Sequence, residues 1–280
     1  KSYSDASELI NDPDVRAVYI ATPPNSHAEY AIAAMRAGKP VYVEKPMART
    51  FAECEEMLRV SRETGMPLWV AYYRRALPAF LEAKRMVEAG EIGQPLSVRV
   101  TLHWPAKERR LPVDEMNWRV KPEVSGAGHF FDLASHQFDY LDFVLGEVTS
   151  VKGIAANLAG LYPAEDTVSA SWQHESGVIG SGSWSFTADA GPEQDAIVIT
   201  GDKGSIQLSC FERPDFLALS TNTRTDEQCF SNPENISRHL VQQVVDELRG
   251  IGQCVSTGES AARTNRVMED IIRNYYSYKT

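Results

Sequence analysis

Three side chains in this sequence can move a proton or hold a developing negative charge: Lys45, Asp132 and His136. Lys45 stands in Tyr42-Val43-Glu44-Lys45-Pro46-Met47, where an apolar run ends in an acid, a base and a proline. Proline fixes its own φ and lacks an N–H, so a lysine before it at a strand end has a set direction. An ammonium held in that way can hydrogen-bond a substrate hydroxyl and stabilise an alkoxide as it forms. The other reading of Glu44-Lys45 is a solvated ion pair after a strand. Asp132 and His136 are four residues apart in a strongly apolar segment, which stacks them on one helix face, and Asp139 continues that face. A buried helix does not carry a carboxylate and an imidazole without partners. Aspartate can orient histidine, and histidine exchanges protons near neutral pH. A satisfied structural pair is the alternative.

Other positions carry weaker signals. His27 falls in the first turn of an expected helix just past a strand end, within reach of a ligand. Trp118-Arg119 sits in a stretch without periodicity, where it could clamp an anionic cofactor or pack the loop. His103, His129, His174 and His239 read as structural or surface residues. The four cysteines, at 54, 210, 229 and 254, form no C-x-x-C pair, so neither a zinc site nor any other metal site is expected. No G-x-G-x-x-G follows a strand, and Ser125-Gly126-Ala127-Gly128 lacks that spacing.

The elements that must position these groups follow from periodicity. Buried strands are expected at 15–22, 40–45 and 67–73, because each is a short, continuous, β-branched or aromatic run. Helices are expected at 5–11, at 26–38 with Ser26 as cap, at 50–65 between Thr50 and Gly65, and at 78–89. Continuous apolar strands alternating with helices argue a parallel sheet covered on both faces. Ligands of such sheets bind beyond the carboxyl ends of the strands, here Thr22-Pro23, Glu44-Lys45 and Tyr72-Tyr73-Arg74. From residue 95 the character changes. A strand at 95–103, an unpatterned loop at 104–127 and the apolar helix 128–146 precede strand-like runs at 148–158, 166–174, 178–187, 195–200 and 204–209. Helices near 233–250 and 259–277 close the chain. The fold class is α/β: an incomplete Rossmann-like parallel sheet over residues 1–76, then an α+β part over 77–280 built on a large, mostly antiparallel open sheet.

Bulk properties narrow the functions. The 280 residues are 43% apolar and carry a net charge of −10, with basic residues scattered, which argues against nucleic-acid partners. No run approaches the roughly 18–20 apolar residues of a membrane helix. Cysteines without a disulfide pattern suggest a reducing, cytoplasmic setting.

The sequence resembles the Gfo/Idh/MocA family of NAD(P)-dependent sugar and polyol oxidoreductases from near residue 5 to the end. VRAVYIATPPNSHAEYAIAAMRAGKPVYVEKPMART is similar to its central Rossmann segment and EAGEIGQPLSVRV to its domain crossover. NWRVKPEVSGAGHFFDLASHQFDYLDFVLG looks like its catalytic helix, and TGESAARTNRVMEDIIRNYYS like its closing helix. The resemblance implies NAD or NADP as cofactor and a sugar, inositol or related polyol as substrate. It implies that Lys45 contacts nicotinamide ribose and substrate hydroxyl, that His136 is the general acid/base, and that Asp132 is its partner or a substrate ligand. Thr22, Pro23, His27 and Glu44 would line the cofactor, and Trp118-Arg119 would reach it. A homodimer or homotetramer through the large sheet is also implied. Ala134 and Ser135 replace the glycine that many members carry inside the helix motif. The first strand, glycine loop and ribose-reading acid of the family are not among these residues, so the Rossmann part reads as N-terminally truncated. An NAD-dependent glycosidase of the same fold and a non-catalytic sugar-binding or assembly protein are the competing functions.

Overall fold

The computed structural model describes residues 1–105, 112–187 and 194–277. Strands β1 (Val18–Ile20), β2 (Val41–Val43) and β3 (Leu68–Val70) form a parallel sheet in that order, with Val18 beside Val41 and Val41 beside Leu68. Helices α1 (Ala6–Asn11), α2 (His27–Arg36) and α3 (Phe51–Thr64) flank them. Val41, Val43 and Val70 are fully buried against Ala31, Met35, Met57 and Val60, which is why these strands show no polar alternation.

The caps account for where the helices start and stop. Asp5 accepts from the Ser7 N–H at 2.7 Å, and Thr50 from the Glu53 N–H at 3.2 Å. Gly65 closes α3 at φ 69°, in the left-handed region that a side chain disfavours. Ser26 does not cap α2 with its side chain. Its Oγ donates instead to Thr22 Oγ1 at 2.7 Å, and a 3₁₀ turn, Pro24–Ser26, leads into the helix. The proline at the first position of that turn fixes the entry and replaces the expected cap.

After α4 (Pro78–Glu88) the chain builds an eight-stranded sheet: β4 (Pro95–His103), β5 (Val148–Ala156), β6 (Thr167–His174), β7 (Ile179–Ser185), β8 (Gln194–Gly201), β9 (Gly204–Leu208), β10 (Phe216–Thr221) and β11 (Thr225–Cys229). Its order is β11-β10-β9-β8-β4-β7-β6-β5, antiparallel throughout except β4 beside β7. The hairpin β10–β11 was not expected from the sequence. Thr225–Cys229 is polar on both faces and packs little, so it carries no alternation to read. The stretch expected as a featureless loop contains two 3₁₀ turns, Val113–Glu115 and Trp118–Val120, and a short helix α5 (Pro122–Ser125); residues 106–111 of it lie outside the described residues.

One face of the large sheet is covered. Val98, Val100, Leu102, Val168, Trp172, Trp184, Ile197 and Ile199 pack against α6 (His129–Leu145), α4 and α8 (Gly258–Ser277). The opposite face carries Ser150, Lys152, Ile154, Ser169, Ser171 and Ser181. The C-terminal segment also returns to the first sheet. Ser256 exchanges backbone and side-chain hydrogen bonds with Val70 of β3. α7 (Arg238–Leu248) lays Leu240 and Val244 against Tyr42 and Trp69, and α8 buries Ala261 and Ala262 in the first core.

Candidate active site

The turn that carries Lys45 is fixed from three sides. The Glu44 N–H donates to Ile20 O at 2.9 Å and extends the ladder past β2. The Lys45–Pro46 peptide is cis. His27, fully buried, places Nε2 2.7 Å from Thr22 O and Nδ1 3.0 Å from Pro46 O. Its ring thus ties the end of β1 to the Lys45 turn, and both nitrogens are engaged by backbone. Burial lowers its pKa, against the pull of the two carbonyls.

Helix α6 is held along its whole length. At its N-terminus the Gly128 N–H donates to both carboxylate oxygens of buried Glu165, at 3.0 and 3.1 Å, and the Tyr276 hydroxyl donates to the same group at 2.5 Å. A negative group belongs at that end of a helix. A Cβ on Gly128 would lie 2.7 Å from the Glu165 carbonyl oxygen, so glycine is required by close approach. Midway, the Trp184 indole N–H donates to Gln137 Oε1 at 2.7 Å, and the Tyr140 hydroxyl to Phe80 O at 2.9 Å. In the last two turns, Asp139 receives a bidentate pair from buried Arg75 at 2.7 and 2.8 Å, and Asp142 binds Arg263 at 2.8 Å. Asp139 therefore serves the scaffold and not the Asp132–His136 face.

These supports bring the first sheet's Lys45 to the second layer's Asp132. Lys45 Nζ donates to Asp132 Oδ1 at 2.5 Å and to Asp132 O at 2.9 Å. Asp132 Oδ2 accepts from Arg119 Nε at 3.2 Å, and the Arg119 guanidinium lies 4.3 Å from its neighbour Trp118's ring centroid. Burial pushes the Asp132 carboxyl up, but the Lys45 ammonium and Arg119 overcome it and hold the group below its usual value. Among the described residues, Asp132 makes no hydrogen bond to His136. His136 is 3% exposed, its Nδ1 has no hydrogen-bond partner, and the rings of Tyr72, Tyr73 and Phe211 stand around it at 5.8, 5.2 and 6.0 Å. Burial, then Arg74 and Lys45, hold its pKa well below the ordinary histidine value, so it is a neutral imidazole.

Lys45, Asp132, Arg119 and, through Arg119, Trp118 thus form one cluster, with His136 one helical turn beyond Asp132. Glu44 does not pair with the Lys45 ammonium: its carboxylate accepts from the Tyr19 hydroxyl at 2.5 Å and from the Lys45 backbone N–H at 3.3 Å. Thr22 and Pro23 are exposed beyond the end of β1. Two participants carried no sequence signal. Phe211 arrives from the far side of the chain after β9, and Glu165 acts only because β6 begins beside the N-terminus of α6. No group of three or more His, Cys, Asp or Glu among the described residues could hold a metal ion. No described helix is long and apolar enough to cross a membrane.

A neutral base and a charge-matched ammonium beside a parallel sheet's carboxyl edge suit removal of a proton from a hydroxyl. Comparison with known proteins shows the family. Residues 1–72 match the model of an oxidoreductase family with an NAD-binding Rossmann fold, and residues 80–207 match the GFO/IDH/MocA C-terminal domain. The chain is 31% identical over 266 residues to Oxidoreductase P35 of Formosa agariphila, covering 95% of this chain and 81% of that one. It is 32% identical over 276 residues to the myo-inositol 2-dehydrogenase of Thermotoga maritima, covering 94% and 76%. A solved levoglucosan dehydrogenase, in complex with NADH and levoglucosan, superposes with a TM-score of 0.85 at 25% identity, covering 99% of this chain and 82% of that one. With both parts of the chain matched in order, and with its small parallel and large mixed sheets shared by that structure, the protein belongs to the Gfo/Idh/MocA family of NAD(P)-dependent oxidoreductases.

Proposed function

We propose that the protein oxidises a hydroxyl-bearing carbon of a sugar, inositol or related polyol, or runs the reverse reduction, with Lys45, Asp132 and His136 as its catalytic residues. The observation that carries this reading is the Lys45–Asp132 pair beside neutral His136. An ammonium has three N–H donors. Asp132 takes two of Lys45's, which leaves one for a substrate oxygen. That N–H stabilises the alkoxide as it forms. His136, uncharged, accepts the hydroxyl proton. Asp132 keeps Lys45 charged and aimed. Thr22, Pro23, Glu44, Lys45, Trp118 and Arg119 are the residues that would hold the nicotinamide end of NAD or NADP. They fit it because exposed Thr22-Pro23 and the Lys45–Asp132 ion pair lie at the carboxyl edge of the parallel sheet. When bound, the nicotinamide supplies the hydride acceptor. His27, locked to two carbonyls, supports that edge from below. Names of relatives point the same way: a myo-inositol 2-dehydrogenase, a 1,5-anhydro-D-fructose reductase and a levoglucosan dehydrogenase all handle polyhydroxylated rings.

The full-length protein should change absorbance at the nicotinamide band when given NAD or NADP and one member of a polyol panel. Lys45→Met and His136→Ala should each lower kcat by about 10²–10⁴-fold, far more than they weaken cofactor binding. Equal loss of fold in both variants refutes the assignment. Release of free sugar from an aryl glycoside without net reduced nicotinamide would replace dehydrogenation with glycoside cleavage. The uncovered face of the large sheet, with Ile154 76% and Ile179 52% exposed, is proposed to meet a second copy of the chain. A light-scattering mass equal to one chain contradicts that. Four free cysteines, three of them buried, fit a cytoplasmic, reducing setting.

A further inference from the structure

Arg74 lies in the 3₁₀ turn Tyr73–Ala76 after β3 and is 4% exposed. Its neighbour Arg75 is matched by Asp139 and Asp142. Arg74, in contrast, has no carboxylate at ion-pair distance among the described residues. Its Nε donates to the carbonyl of Cys210 at 2.8 Å, and its Cζ lies 4.9 Å from the Tyr73 ring centroid and 4.5 Å from that of Phe211. Those same two rings stand against His136, at 5.2 and 6.0 Å. The guanidinium and the imidazole thus share one aromatic clamp. Guanidinium groups keep their charge in proteins, and an unmatched buried charge is a strong source of field in a low-dielectric interior.

The groups facing His136 do not cancel that field. On its own helix, Asp132 is engaged by Lys45 and Arg119, and Asp139 by Arg75. From the β2 turn comes Lys45, already matched by Asp132. From the β3 turn come Tyr72, Tyr73, Arg74 and Arg75. From the segment after β9 come Phe211 and Cys210, whose thiol burial pushes up to about 12, so it carries no negative charge; Asp195 of β8 holds that segment, its carboxylate accepting from the Ser209 hydroxyl and the Phe211 and Glu212 N–H groups. Lys45 and Arg119 share the one carboxylate of Asp132, whereas Arg74 is the buried cation of this group that has no carboxylate at ion-pair distance among the described residues. Direct contact with substrate is the competing role; Nη1 of Arg74 is sealed from solvent and has no hydrogen-bond partner among the described residues, so that nitrogen does not supply it.

We infer that Arg74 is a positioning residue for the hydroxyl oxidation proposed above: its unmatched charge, fixed in the Tyr73–Phe211 clamp, keeps His136 uncharged and ready to accept a proton. This rests on the assignment of His136 as the base. The low pKa of His136, set first by burial and next by Arg74, agrees with it. The charge matters here, and the fork geometry of arginine does not. Lysine at this position therefore preserves the effect, and glutamine of similar size removes it.

The test uses full-length protein with isotope-labelled histidine, the His136 resonance being assigned by its loss in His136→Gln. In the unmodified protein His136 should remain neutral well below the ordinary histidine range; titration at the ordinary value overturns the inference without any variant. In Arg74→Gln its midpoint should move up toward neutrality, and in Arg74→Lys it should stay low. In parallel, the ratio of kcat/KM at pH 6 to that at pH 8 should fall roughly tenfold in Arg74→Gln and hold in Arg74→Lys. A raised KM with no movement of the titration or of the acid limb makes Arg74 a substrate ligand and overturns the inference. Because the resonance is read without turnover, a shifted titration in a protein that oxidises no polyol would sink the proposed function and leave standing only the effect of the Arg74 charge on His136.

Discussion

Asp132 divides its carboxylate between two cations, Lys45 on one oxygen and Arg119 on the other, and leaves His136 to its aromatic surroundings. The spacing of Asp132 and His136 suggested that one orients the other; the two oxygens are instead turned toward the charges that arrive from β2 and from the 3₁₀ turn at Trp118. Asp132→Asn keeps the shape and removes the charge. Lys45 then loses its ion-pair partner while keeping the carbonyl of residue 132. We expect kcat/KM to fall by on the order of 10²-fold with a much smaller change in cofactor dissociation constant. Stopped-flow turnover beside fluorescence titration of the cofactor measures both. If the variant is as active as the parent, the Lys45–Asp132 pair is structural.

At the scale of elements, α6 is a rod whose ends are fixed by ions and whose middle is fixed by packing. The Glu165 carboxylate holds the first turn through Gly128 and Tyr276. Glu165→Ala removes those bonds to a charged acceptor and should cost about 1.5–3 kcal/mol, and kcat should drop because the first turn carries Asp132. Arg75→Ala leaves two carboxylates, Asp139 and Asp142, buried with one cation fewer, and should cost about 3–5 kcal/mol. Urea denaturation with an unchanged m-value reads both losses. A loss below about 0.5 kcal/mol for either variant would show that its ion pair does not fix the rod.

For the whole molecule, buried histidines set the response to acid. Burial lowers the pKa of His27, His136 and His174. Protonation would also oppose an N–H to an N–H at His174, whose Nε2 accepts from the Trp172 indole at 3.0 Å. A base whose folded pKa is depressed stabilises the fold above its unfolded value, near 6.5 for histidine, and that stability is lost as pH falls below it. Two acids work the other way: burial raises Glu165, and pushes Asp139 up to about 6 against Arg75, so the folded state takes up their protons where the unfolded state does not. Their contribution is present at low pH and is lost as pH rises through the folded value. The histidines titrate first on acidification. Stability should therefore fall by about 1–3 kcal/mol between pH 7 and pH 5.5. Denaturant unfolding across that range checks the sign, and a flat or rising profile contradicts it.

The sequence by itself determined the parallel βαβαβ order, the cap at Thr50, the apolar helix between Gly128 and Gly146, and the place of Lys45 at the end of β2, because these rest on local periodicity, turn chemistry and residue type. It missed the hairpin β10–β11, although Leu217 and Leu219 alternate into the core along β10, because the polar β11 carries no such pattern, and it expected a side-chain cap at Ser26 that a proline-led 3₁₀ turn displaced. It was also silent on how α7 and α8 come back to the first sheet. Only the tertiary structure decided which charge meets which. Glu44 goes to Tyr19 and not to the Lys45 ammonium, Asp132 to Lys45 and Arg119, Asp139 to Arg75, and Arg74 to no carboxylate among the described residues. Spacing places side chains on a face, but an ion pair needs two faces from distant parts of the chain to arrive within about 4 Å, and 87 residues separate Lys45 from Asp132.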